Sequence, residues 1–111
     1  MRIDHDIGIT ESLTIYEAAM PHGKGTLDPI NVILRDFGGQ GQIIVECYGD
    51  AWAHWFGAIG NDSLRKFIAG CDEYYLAGKL TGSTVRTAKK RECDYTIHIS
   101  RAIVAALTLA A

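Results

Sequence analysis

The chain is short of several things at once, and each shortage excludes a class of protein. Its 111 residues contain no apolar run near the ~18–20 residues of a membrane-spanning helix. The opening stretch MRIDHDIGITES mixes acids with isolated isoleucines and has no apolar secretory core. Cysteine is sparse and odd in number. Cys47, Cys71 and Cys93 stand far apart without a CxxC pair, which fits reduced thiols in a cytoplasm rather than a disulfide framework. Charge of one sign is also missing: 11 Lys and Arg against 13 Asp and Glu leave −2, which argues against a strongly basic nucleic-acid-binding domain. No repeat or low-complexity tract is visible. What remains, at 48% hydrophobic and 22% charged residues, is a globular composition. A chain of this length forms one domain, residues 1–111, and can bury one core without bridges or metals.

Near-neutrality hides a division. Residues 1–63 hold nine acidic residues against three basic ones, a balance of −6; residues 64–111 hold eight basic against four acidic, a balance of +4. Such a division suits two differently charged solvated faces, or one charged surface turned toward a partner.

The pattern of the first half is that of strands. Ile7, Ile9, Leu13 and Ile15 alternate with polar or small residues, with a bend expected at Glu11-Ser12. MPHGKGTLDP, with Pro21, Gly23, Gly25 and Pro29, reads as a loop. INVILRDF places Ile30, Val32 and Leu34 on one face; QIIVECY does the same with Ile43, Val45 and Cys47. Gly38-Gly39-Gln40-Gly41 supplies the positive-φ residues of a tight hairpin between them. The economical reading of residues 7–48 is a three-stranded antiparallel meander.

After Gly49-Asp50 a helical segment over residues 50–80 is expected. Asp50 suits the N-cap of a short helix AWAHWFGAI, limited by Gly57 and Gly60. Asn61 or Asp62 suits the cap of a second helix, in which Leu64, Phe67, Ile68, Cys71, Tyr75 and Leu76 form one apolar face and Gly70 marks a kink or break. TGST is a linker. Residues 84–110 then read as one long C-terminal helix striped by Tyr95, Ile99, Ala102, Ile103 and Ala106. Strands before helices give an α+β fold, with the helices packed on the sheet, and exclude a doubly wound parallel sheet.

Candidate chemistry is thin. On a helix, Asp50 and His54 would share a face, and the carboxylate could orient the imidazole as a general base. No nucleophile or metal partner accompanies them, so a packed aromatic face is the simpler reading. Asp4-His5-Asp6 lacks metal-ligand spacing. Pro21-His22-Gly23-Lys24-Gly25-Thr26 fails as a phosphate loop, since Gly25 follows Lys24 where Ser or Thr is required. The cysteines read as small buried hydrophobes. No catalytic residue, cofactor or metal is therefore expected.

Three surfaces stand out for binding instead. Glu11, Glu17, Asp28, Asp36 and Glu46 could form an acidic sheet face. Arg86, Lys89, Lys90 and Arg91 form a basic helix start whose charges oppose the helix dipole, which predicts fraying or an outside partner. Trp52 and Trp55 stand three apart on a two-turn helix, a spacing at which both need not bury; an exposed Trp is a common interface anchor. The apolar end AIVAALTLAA either packs on the sheet or seams a homodimer.

The blocks Gly41-Gln42-Ile43-Ile44-Val45-Glu46-Cys47-Tyr48-Gly49-Asp50-Ala51-Trp52 and Cys71-Asp72 through Tyr75-Leu76-Ala77 to Lys79-Leu80 carry a resemblance. Over residues 28–109 the chain resembles a family of small proteins encoded by tailed phages and prophages. The resemblance implies a phage accessory protein of the bacterial cytoplasm. It carries over no catalytic or ligand residue. By association it implies a non-enzymatic binder that disables a host protein or ribonucleoprotein complex, including defence systems of the CRISPR type. Direct nucleic-acid binding through the basic helix start is the alternative, and a small Asp50/His54 enzyme the second. No membrane partner is expected.

Overall fold

Among the described residues the sheet has four strands, not three. In a computed structural model that describes residues 1–3, 9–18, 25–82 and 90–109 (side chains of the last stretch from Tyr95 onward), β1 (Ile9–Ile15), β2 (Ile30–Asp36), β3 (Gly41–Cys47) and β4 (Asp50–Phe56) lie in the order β1-β2-β3-β4, each antiparallel to its neighbour. The fold is α+β, with α1 (Leu64–Ala69), α2 (Glu73–Thr81) and α3 (Lys90–Leu109) following the sheet. Ile7, the strand start expected from the sequence, lies outside the described residues, as do residues 84–89 of the expected C-terminal helix.

Register sorts the side chains. Leu13, Val32, Val45 and Trp52 stand in one row across the four strands, and Ser12, Ile33, Ile44 and Ala53 in the next. Because side chains alternate, the first row faces the helices and the second faces away. The bend expected at Glu11-Ser12 is absent: both residues sit within the ladder, opposite Leu34 and Ile33.

The short helix expected over AWAHWFGAI is strand β4. Cys47 and Asp50 close a two-residue turn in which Tyr48 (φ 52°) and Gly49 (φ 82°) both have positive φ, the type I′ geometry that matches strand twist. Asp50 is therefore the first residue of a strand rather than an N-cap. The β2–β3 turn uses the same geometry at Gly38 (φ 75°) and Gly39 (φ 74°), with the Phe37 N–H donating to the Gln40 carbonyl at 2.9 Å.

The expected second helix is two. Ser63, rather than Asn61 or Asp62, caps α1, its hydroxyl accepting the Lys66 N–H at 3.2 Å. The chain breaks at Gly70, and Asp72 caps α2 by accepting the Tyr75 N–H at 2.7 Å. The core lies between the layers. Ile30, Val32, Leu34, Ile43, Val45 and Cys47 from the sheet meet Leu64, Ile68, Leu76, Leu80, Ile99, Ile103 and Leu107 from the helices. Arg101 of α3 holds Glu73 of α2 through two nitrogens at 2.7 and 2.9 Å, and Arg65 of α1 meets Glu11 of β1 at 3.0 Å.

Asp36 joins the layers at their start. One carboxylate oxygen accepts the Gly38 N–H at 2.9 Å and the other accepts the Leu64 N–H at 2.9 Å. These bonds hold its pKa below the ordinary 3.8. Next to it, the Leu64 side chain lies over Gly41, where an added Cβ would come within 2.8 Å of Leu64 Cδ2 and 2.9 Å of the Arg35 carbonyl oxygen.

Two outcomes follow for stability. Gly41→Ala is expected to cost about 1–3 kcal/mol, because a backbone oxygen must shift, and to lower Tm by several degrees; an unchanged thermal melt would refute this packing. Asp36→Ala is expected to cost about 1 kcal/mol at neutral pH. A depressed carboxylate pKa stabilises the fold above its ordinary value of 3.8, and that stabilisation is lost as pH falls through the lowered folded value. The gap between wild type and Asp36→Ala in urea titrations should therefore be constant above pH ~5 and close below 3.8.

Candidate interaction surface

The residues singled out in the sequence do not converge on one place. Glu11 and Asp36 project to the helix side of the sheet, where the first meets Arg65 and the second caps α1. Glu46 stands on the opposite face, in the row of Thr14 and Asn31. Glu17 and Asp28 are exposed in the segments that follow β1 and precede β2. The expected acidic sheet face is thus split by strand parity. Arg86 and Lys89 lie outside the described residues, and Lys90 and Arg91 open α3. Asp4-His5-Asp6 and residues 21–24 of the glycine-lysine loop also lie outside them.

Asp50 and His54 share a face of β4, but four strand residues separate them by ~13 Å, so the carboxylate cannot orient the imidazole. His54 packs edge-on against Phe56, with ring centroids 4.6 Å apart. Burial, then the charge of Lys79, lowers its pKa below 6.5, against the opposing effect of a hydrogen bond to the Lys79 backbone. Cys47 is fully buried. Its thiol receives the Tyr95 hydroxyl hydrogen bond at 3.1 Å and donates to the Asp28 carbonyl at 3.5 Å. Burial pushes that thiol up, and burial together with the thiol contact pushes the Tyr95 hydroxyl well above its usual range. Cys71 donates to the Phe67 carbonyl at 3.3 Å, and burial raises its pKa too. Both cysteines are protonated at neutral pH, which suits packing rather than nucleophilic attack.

Among the described residues, no group of three His, Cys, Asp or Glu side chains could hold a metal ion. No described helix is long and apolar enough to cross a membrane. A cavity of about 320 Å³ opens between the end of β1 and α3, lined by Ile15, Ala18, Ala102, Ala105 and Leu109, with His98 and Arg101 beside them. Its one cation, Arg101, is already engaged by Glu73.

The sheet's other face is different: none of the described helices packs on it. Its central row, Ser12–Ile33–Ile44–Ala53, is largely apolar, and Ile33 is 38% exposed. On one side runs a polar ladder in which the Thr14 hydroxyl donates to Asn31 Oδ1 at 2.9 Å and Asn31 Nδ2 donates to Glu46 Oε1 at 3.4 Å. The second Glu46 oxygen is shielded from solvent yet accepts no hydrogen bond among the described residues. On the other side, Trp55 packs on Phe37 with ring centroids 5.5 Å apart and planes tilted by 39°, and the Arg35 guanidinium lies 5.0 Å over Phe37, steadied by Gln42 at 3.0 Å. Trp55 stays 46% exposed. Trp52, by contrast, points to the helix side and packs on Tyr95 at 6.1 Å. Odd spacing on a strand puts the two tryptophans on opposite faces. Helical spacing concealed that division, along with the partnership of Trp55 with Phe37 and Arg35.

Compared with known protein families, the chain matches Phage_phiTE_072, described as a phage family, over residues 7–106. The match takes in the sheet, α1, α2 and all but the last turn of α3, and it reaches back before Asp28, where the resemblance in the sequence begins. No curated protein and no solved structure matches the chain.

The position of His54 is open to titration. A histidine whose folded pKa is lowered stabilises the fold above its unfolded value near 6.5, and that stabilisation declines as pH falls below it. The ¹H NMR titration of the His54 ring is expected to have its midpoint below 6.5; a midpoint at or above that value would contradict the packing against Phe56 and Lys79.

Proposed function

The chain belongs to this phage family, and on that premise we propose that it is a non-enzymatic phage accessory protein that binds a host protein complex and inhibits it. The place of action is the cytoplasm of the infected bacterium, and a defence system of the CRISPR type is one complex of the right kind. The observation that carries the reading is the sheet face on which none of the described helices packs. A row of Ile33, Ile44 and Ala53 is flanked by the half-exposed Trp55 in its packing with Phe37 and Arg35.

Each part of that face suits protein contact. Trp and Arg are the side chains that most often dominate binding energy, because they bury large areas with few rotatable bonds or donate several hydrogen bonds at once. Trp55 is held by Phe37 before any partner arrives, so less side-chain freedom is lost on docking. The polar ladder of Thr14, Asn31 and Glu46 supplies a rim. A binder of this kind inhibits by occupancy: it needs no reacting group, only a face that excludes the target's own ligand.

Affinity capture from host lysate tests the reading. The tagged wild-type chain is expected to recover a defined protein complex. Trp55→Ala should weaken recovery about 30-fold, the effect of losing ~2 kcal/mol at a central anchor, and Ile33→Asp should abolish it. Both positions are on the open face, so circular dichroism should stay native. Recovery of no partner by the wild type, or equal recovery by Ile33→Asp, would overturn the proposal.

A further inference from the structure

We propose that β4 is a self-association edge, through which two copies of this chain join antiparallel into one continuous eight-stranded sheet. The argument starts from the turn. A two-residue hairpin makes its closing pair, Cys47 and Asp50, a hydrogen-bonded pair, and such pairs alternate along an antiparallel ladder. Trp52, His54 and Phe56 therefore spend their backbone groups on β3. Ala51, Ala53 and Trp55 turn theirs outward, and no backbone partner meets them among the described residues.

Natural edge strands discourage addition with lysine, proline, bulges or short length. β4 has none of these. It runs seven residues in unbroken register, and its one charged residue, Asp50, is at its end. The other edge is less suited to pairing. β1 carries Glu11 at mid-strand, tied to Arg65 at 3.0 Å, and charge beside an edge opposes strand addition.

A second copy fits the β4 edge because the edge is complementary to itself. With the two-fold axis at Ala53, Ala53 faces Ala53 of the other copy and Ala51 faces Trp55. All three outward-turned residues then fall into hydrogen-bonded pairs, each exchanging two bonds. The smallest side chain sits at the axis, and each large Trp55 lies across from a small Ala51. On the helix side, Trp52 of one copy lies across from His54 of the other, in the close non-hydrogen-bonded position that favours ring contact. The two Asp50 carboxylates stand at opposite ends of the seam, ~20 Å apart along the strand, so no like charges meet. A one-residue shift would set outward backbone groups against inward ones, and a two-residue shift would carry one of the three outward residues off the seam, so the Ala53-centred register makes the most bonds.

Light scattering coupled to size exclusion tests this on the purified full chain. Wild type is expected at twice 12.1 kDa. Ala53→Lys places two ammonium groups together at the axis and should raise the dimer dissociation constant about 100-fold or more, giving monomer with native circular dichroism. Ala53→Pro removes the central outward N–H and none that β3 uses, and should do the same; if it fails to fold, Ala53→Lys decides. Ser12→Lys, at the middle of β1, should stay dimeric. A monomeric wild type at the highest soluble concentration would overturn the proposal. So would a dimer that survives in natively folded Ala53→Lys, or one that only Ser12→Lys dissociates.

Discussion

One carboxylate sets where the two layers meet. Asp36 ends β2, and its two oxygens bind the turn that leads into β3 and the first turn of α1. The turn is held a second time by the Gly39 carbonyl, which accepts the Ile59 N–H at 2.9 Å. α1 thus starts at a fixed point above the sheet corner, and the missing side chain at Gly41 lets Leu64 settle there. From that point Leu64 and Ile68 reach the core, Gly70 and Asp72 turn the chain, and α2 and α3 close over the remaining strands. Without the Asp36 contacts, the Leu64 N–H at the helix start and the Gly38 N–H of the exposed turn would lose their fixed acceptor and turn to water, a cost of about 1 kcal/mol in all.

Strand parity then distributes the chemistry. Even steps from Asp50 (Trp52, His54, Phe56) point into the helix layer, where ring packs on ring: Trp52 on Tyr95, His54 on Phe56, Phe56 on Phe67. Odd steps point to the open face. Cys47 on the helix side is buried, protonated and held by the half-buried Tyr95 hydroxyl, while Ile33 and Trp55 on the other face stay accessible for contact. The chain separates what holds it together from what it presents.

Much of this could be read from the residues. The alternation of Ile30, Val32 and Leu34, and of Ile43, Val45 and Cys47, named two core strands and their hairpin, because Gly38-Gly39 is a strong turn signal. Most of the face of α1 and α2 (Leu64, Ile68, Leu76) and of the stripe of α3 (Ile99, Ile103) was legible from three- and four-residue spacing, but Tyr75, expected on that face, is exposed, and Leu107, outside the expected stripe, is buried. The strand β4 was not. Its turn, Tyr48-Gly49, puts tyrosine at positive φ, where sequence rules expect Asn or Asp. Asp50 mimics a helix cap, and Gly57 and Gly60 mimic a short helix's end. The misreading had one further effect. A helical AWAHWF brings Asp50 and His54 together and leaves Trp52 and Trp55 on one side, whereas the strand reverses both. What settles the matter is pairing with β3, the adjacent strand across that two-residue turn, and a turn with tyrosine in its first central position does not announce itself.

That reversal gives the molecule two optical reporters in separate rooms. Trp52 lies on the helix side, beside the Tyr95 ring, and Trp55 stands half in water on the other side of a single strand. The difference in exposure is expected to separate their emission in colour and in access to soluble quenchers. Loosening of the helix layer registers in the inner indole, and occupation of the open face registers in the outer one.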